Sequence, residues 1–113
     1  MSERVSDTDT NTGATDVKNA REFQRLVEEN DTLLVDFYAD WCAPCRMMEP
    51  DVKEVAEEGV VRVAKVNIDT NQKVASAYGV RSVPTLILFV DGEPAKRTVG
   101  AKSAEEIRRF VDS

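Results

Sequence analysis

The chain has no histidine at all. That removes the usual general base, the commonest metal ligand and every Ser–His or Cys–His catalytic pairing. It has only two cysteines, Cys42 and Cys45, too few for a disulfide framework, and in a reducing cytoplasm a purely structural bridge is not expected. A zinc site needs about four ligands, so zinc is excluded unless a second chain contributes some. No metal and no cofactor is called for. Cations are also in deficit, with 15 Lys and Arg against 21 Asp and Glu and a net charge of −6. Phosphate binding needs a cationic surface, so a nucleic-acid partner is excluded. No apolar run approaches the roughly 20 residues that span a bilayer. The opening MSERVSDTDTNTGATD has no apolar core and a single basic residue, so it reads as neither a secretory signal nor a transit peptide. The expectation is a cytoplasmic protein with no membrane partner, and nothing in the sequence demands more than a monomer.

What is present fits one domain of 113 residues, large enough to bury a core without staples. Residues 1–15 are rich in Thr, Asp, Ser and Asn and cannot offset their ordering entropy by burial, so they read as a disordered acidic tail ahead of a domain over 16–113. Ala20, Phe23, Leu26 and Val27 recur at helical spacing and predict a helix over about 18–29. TLLVDFYA, residues 32–39, is nearly all apolar, β-branched or aromatic, as a buried central strand is. A helix follows over about 44–58, with Pro50 inside it, where the missing N–H and the ring are expected to bend it. A strand over 60–67, a short helix over 71–78 and a strand over 85–90 come next. Asp91–Gly92 signals a hairpin, with a return strand over 95–99. Ser103 and Glu106 form a capping box for a last helix. Helices and strands in this order imply an α/β fold. Its mixed sheet of four to five strands is covered by helices on both faces.

The chemistry concentrates at Cys42–Ala43–Pro44–Cys45. At a strand-to-helix junction, the first cysteine meets the free N–H groups and the positive end of the helix dipole, which favour a thiolate. The second lies close enough to attack a mixed disulfide formed by the first, and Pro44 has the φ of a first helical turn. A CxxC beside a βαβ pattern reads as a redox dithiol. By alternation Leu34, Asp36 and Tyr38 share one face of their strand. A carboxylate in so apolar a run should be desolvated and its pKa raised. Asp36 is therefore either the acceptor of the second cysteine's proton, directly or through a water, or a hydrogen-bonded buried residue serving structure alone. Lys65 is either its charge partner by position or a lysine reaching water from a strand end. Pro84 opens a strand, where proline is tolerated.

VDFYADWCAPC, the Pro50 helix, AKVNIDTNQKVASAYGVRSVPTLILFVDGE and VGAKS together resemble the thioredoxin family, over roughly residues 17–112. The resemblance implies the thioredoxin fold and reduction of client protein disulfides by dithiol exchange, with thioredoxin reductase restoring the dithiol. It implies that Cys42 is the exposed nucleophile, Cys45 the buried resolving thiol, and Asp36 the buried carboxylate assisting proton transfer with Lys65 near it. Pro84 is implied to be a cis-proline facing the disulfide. Trp41, Ala43, Pro44, Val83, Pro84 and Gly100 are implied to form the docking surface for the client. Ala43 stands where the family usually has Gly, Tyr38 where Trp is frequent, and Ser82 where Gly often precedes Val-Pro. The alternatives on the same fold are an oxidising or isomerising oxidoreductase and a non-catalytic interaction module.

Overall fold

The computed structural model describes residues 13–113. The tail read over 1–15 therefore lies, for residues 1–12, outside the described residues. In chain order the elements are β1 (Thr15–Asp16), α1 (Ala20–Glu29), β2 (Thr32–Tyr38), α2 (Ala43–Glu58), β3 (Arg62–Asn67), α3 (Gln72–Ala77), β4 (Thr85–Val90), β5 (Glu93–Val99) and α4 (Ala104–Asp112). The five strands form one sheet in the order β1-β3-β2-β4-β5. β3 runs parallel to both β1 and β2, while β4 runs antiparallel to β2 and β5.

β2 is the centre because its side chains suit both faces. Leu33, Val35 and Phe37 point to one side and join Phe23, Leu26 and Val27 of α1, Val74 of α3, and Ile87 and Phe89 of β4. Leu34 points to the other side, with Met48, Val52 and Val55 of α2, Leu86 and Leu88 of β4, and Ile107 of α4. Leu33, Leu34, Val35 and Phe37 are completely buried, and each contributes about 1.5–3 kcal/mol. Together they outweigh the cost of placing Asp36 among them.

Local chemistry sets the element ends. α1 begins at Ala20 rather than 18 because the Asn19 side chain accepts from the Glu22 N–H at 2.8 Å and caps it. α2 runs through Pro50 as one helix. β3 begins at Arg62, after an exposed Val60 and a buried Val61. β5 begins at Glu93 rather than 95. Pro94 sits opposite Phe89 beside a register shift on the sheet's outer strand, where a missing N–H is tolerated. Asp91 and Gly92 both have positive φ, as a tight hairpin between β4 and β5 requires.

Two-residue β1 is absent from the sequence reading. It pairs with Ala64 and Lys65. It is tied down by Arg62 Nη2 donating to Thr15 Oγ1 at 2.8 Å and by the burial of Val17. Among the described residues, no helix is long and apolar enough to cross a membrane.

Candidate active site

β2 delivers the chain to the sheet's end, and α2 starts there. Cys42 caps α2, and its Sγ accepts from the Cys45 N–H at 3.2 Å. The two cysteines form a disulfide with Cα atoms 5.3 Å apart. Ala43 and Pro44, the first turn between them, are exposed. Cys42 was expected to be exposed and Cys45 buried. Instead their relative exposures are 4% and 7%. With the bond closed, each sulfur covers the other, and Tyr38, Ile68 and Val83 pack around the pair.

The surrounding loops meet this junction. Trp41 is 66% exposed, and its indole N–H donates to Asp69 Oδ2 at 2.9 Å. Arg46 Nη1 donates to the Asp40 carbonyl at 2.7 Å. The Val83–Pro84 bond is cis. Val83 packs against the disulfide, while Pro84 is buried and its carbonyl accepts from the Gly100 N–H at 2.9 Å. Gly100 has φ +102°, a backbone conformation that other residues rarely adopt. That hydrogen bond brings Gly100, distant in sequence, next to the cis-proline loop.

Behind the disulfide, a cavity of about 330 Å³ reaches both Cys45 and Asp36, with Tyr38, Arg46, Glu49 and Lys65 among its walls. Asp36 is 3% exposed, and its Oδ1 has no hydrogen-bond partner among the described residues. Burial pushes its pKa up to about 7; Lys65 opposes that rise, whereas Glu49 and Asp16 reinforce it. Burial, with Asp16 next, likewise raises Tyr38 to about 12. The Tyr38 hydroxyl donates to Asp16 Oδ1 at 3.2 Å, so β1 forms part of the wall. Lys65 sits directly opposite Asp36 in the β2–β3 register. Its ammonium nevertheless pairs with Glu49 at 3.0 Å and lies 4.6 Å from the Tyr38 ring centroid. Glu49, Asp16 and Asp69 were missed in the sequence reading. Only Glu49 carries a signal there, because four residues after Cys45 it occupies the same helix face. Among the described residues, no cluster of His, Cys, Asp or Glu is arranged to hold a metal ion.

A CxxC disulfide at the mouth of a helix on a mixed α/β sheet defines a thiol–disulfide oxidoreductase of the thioredoxin fold. The Thioredoxin family model matches residues 14–113, and the chain belongs to the thioredoxin family. It is 48% identical over 91 residues to Thioredoxin 1 of Synechococcus elongatus, covering 79% of this chain and 85% of that protein. It is 42% identical over 113 residues to the bifunctional thioredoxin reductase/thioredoxin of Mycobacterium leprae, covering 90% of this chain but only 25% of that longer protein. Among solved structures, a thioredoxin point mutant from Halobacterium salinarum NRC-1 superposes with a TM-score of 0.86 at 43% identity, covering 90% of each chain.

Proposed function

We propose that the protein reduces disulfides in client proteins and is returned to the dithiol by a thioredoxin reductase. The Cys42 thiolate attacks one sulfur of a client disulfide. That bond breaks, a Cys42–client mixed disulfide forms, and the other client sulfur leaves as a thiolate and takes up a proton. Cys45 then gives its proton to the Asp36 carboxylate, directly or through a water in the shared cavity. The resulting thiolate attacks Cys42 Sγ, re-forming the Cys42–Cys45 bond and releasing the second client thiolate. Two electrons pass from the dithiol to the client. The reductase supplies two electrons, and two protons are taken up to restore the thiols.

The single observation carrying this reading is that one cavity joins Cys45 to a buried Asp36 whose Oδ1 has no hydrogen-bond partner among the described residues. Lys65, on the same cavity, modulates that carboxylate. Trp41, Ala43, Pro44, Val83 and Gly100 form the client surface, with the buried Pro84 shaping it from beneath, and an extended client segment pairs with the backbone at Val83. A reductase as partner is supported by the Mycobacterium leprae relative, whose name joins the two activities. A reductive role suits a monomer in the cytoplasm, and the working domain starts earlier than the 1–15 tail allowed, because Thr15 belongs to β1 and pairs with Ala64. The test is insulin reduction by the purified protein, together with its reduction potential measured against glutathione. Turnover with a potential well below that of glutathione supports the reading. A potential above it makes the protein an oxidant or isomerase, and no turnover makes it a passive binder.

A further inference from the structure

Lys65, Asp36 and Glu49 line one cavity, and the Lys65 ammonium pairs with Glu49. Asp36 is its neighbour across the β2–β3 ladder. Among the described residues, however, the only carboxylate within 4.0 Å of Lys65 Nζ is that of Glu49, on α2. The Lys65 side chain is 13% exposed and that of Glu49 59%. Solvation explains the choice. A Lys65–Asp36 pair would bury two charges, whose desolvation the mutual attraction need not repay. Glu49 keeps its carboxylate largely in water and meets the ammonium at the cavity rim, where the Tyr38 ring supports it from the other side.

We propose that Glu49 is a positioning residue for the redox reaction: its carboxylate holds the Lys65 ammonium at the cavity rim and away from Asp36, leaving Asp36 free to exchange a proton with Cys45. The inference rests on the assignment of Asp36 as the group that takes the Cys45 proton. The other groups facing the cavity are Asp16 on β1, Tyr38 on β2, and Asp40 and Arg46 around the start of α2. From β4, Asp36 meets only Leu86 in the ladder. Arg46 is engaged by the Asp40 carbonyl, which leaves Lys65, among the described residues lining the cavity, as the cation able to swing between the two carboxylates. Releasing it toward Asp36 would favour the ionised form, in the direction already seen for Lys65.

The test is the titration of the Asp36 side-chain carboxyl carbon by NMR in the oxidised protein, alongside the pH profile of insulin reduction. Glu49→Gln is expected to move the Asp36 midpoint down by about one pH unit and to shift the acid limb of the turnover profile the same way. In a Lys65→Met background, or Lys65→Gln should the first not fold, the same substitution is expected to move the midpoint less than half as far. An unmoved midpoint in Glu49→Gln overturns the proposal. So does an equal movement in both backgrounds, which would mean that Glu49 acts by direct repulsion alone. Asp36→Asn separates the two levels. If it leaves the turnover profile unchanged, the assignment of Asp36 has failed. If it removes the acid limb while Glu49→Gln does nothing, only the role of Glu49 has failed.

Discussion

The Cys45 backbone N–H points at Cys42 Sγ across 3.2 Å, so the amide that the Cys42 side chain caps is also the one placed to stabilise charge on the attacking sulfur. A serine at 42 would keep an oxygen in the capping position but would supply no thiolate. Cys42→Ser is therefore expected to fold normally and lose insulin reduction entirely. Cys45→Ser keeps the attacking sulfur and loses the resolving one, so it is expected to accumulate mixed disulfides with clients, visible as shifted bands on non-reducing gels. Turnover by Cys42→Ser would place the chemistry elsewhere.

Asp36 links catalysis to stability. The folded carboxyl holds its proton up to about pH 7, against an ordinary value of 3.8. The folded state thus binds more protons than the unfolded state between those values. The contribution of Asp36 to stability is greatest below about pH 4, falls as pH rises toward 7, and levels off above it. The ionised group costs roughly 4 kcal/mol at pH 8. Asp36→Asn is expected to be more stable than the parent by roughly 2–4 kcal/mol at pH 8 in urea unfolding, with the difference vanishing near pH 4. The same variant is expected to lose on the order of 100-fold in turnover at neutral pH. A stability gain without that loss would leave Asp36 a structural residue.

Much of this was legible in the sequence. The CxxC at a strand-to-helix boundary, and Asp36 on the strand face shared with Leu34 and Tyr38, follow from spacing and alternation. β1 was not legible, because two residues carry no periodicity and Thr15–Asp16 gain order only from pairing with β3. The partner of Lys65 was not legible either. Alternation puts Lys65 on the face shared with Asp36, but a four-carbon stem reaches several acceptors, and solvation on another element decides among them. The near-complete burial of Cys42 depends on Ile68 and Val83 arriving from distant loops, which local sequence cannot report.

Trp41 supplies a test of the client surface. An indole 66% exposed, held in place by Asp69, offers a large apolar area at little further ordering cost, the usual property of a binding hot spot. Trp41→Ala is expected to reduce turnover of insulin about tenfold, mainly through KM, as removal of a single such anchor does. Reaction with a small aromatic disulfide should change less than about twofold, and stability by less than about 1 kcal/mol. Equal losses on both substrates would mean that Trp41 shapes the dithiol itself and does not bind clients.

The packing face opposite α1 depends on α4 being docked, and α4 is short enough for its cap to matter. Ser103 Oγ accepts from the Glu106 N–H at 3.1 Å, while the Glu106 carboxylate accepts from the Ser103 N–H at 2.8 Å. That backbone hydrogen bond is the main reason the Glu106 pKa is lowered. The cap starts the helix that buries Ala104 and Ile107 against α2. Ser103→Ala removes the hydroxyl acceptor and is expected to cost about 1 kcal/mol, a fall in Tm of about 4–8 °C for a domain this size. Ser103→Asp retains an acceptor and should hold Tm near the parent value. Because the site lies far from the disulfide in the chain and touches none of its partners, the reduction potential of Ser103→Ala should match the parent. A shifted potential would show that α4 bears on the redox site through Met48, whose sulfur accepts from the Lys102 N–H at 3.3 Å.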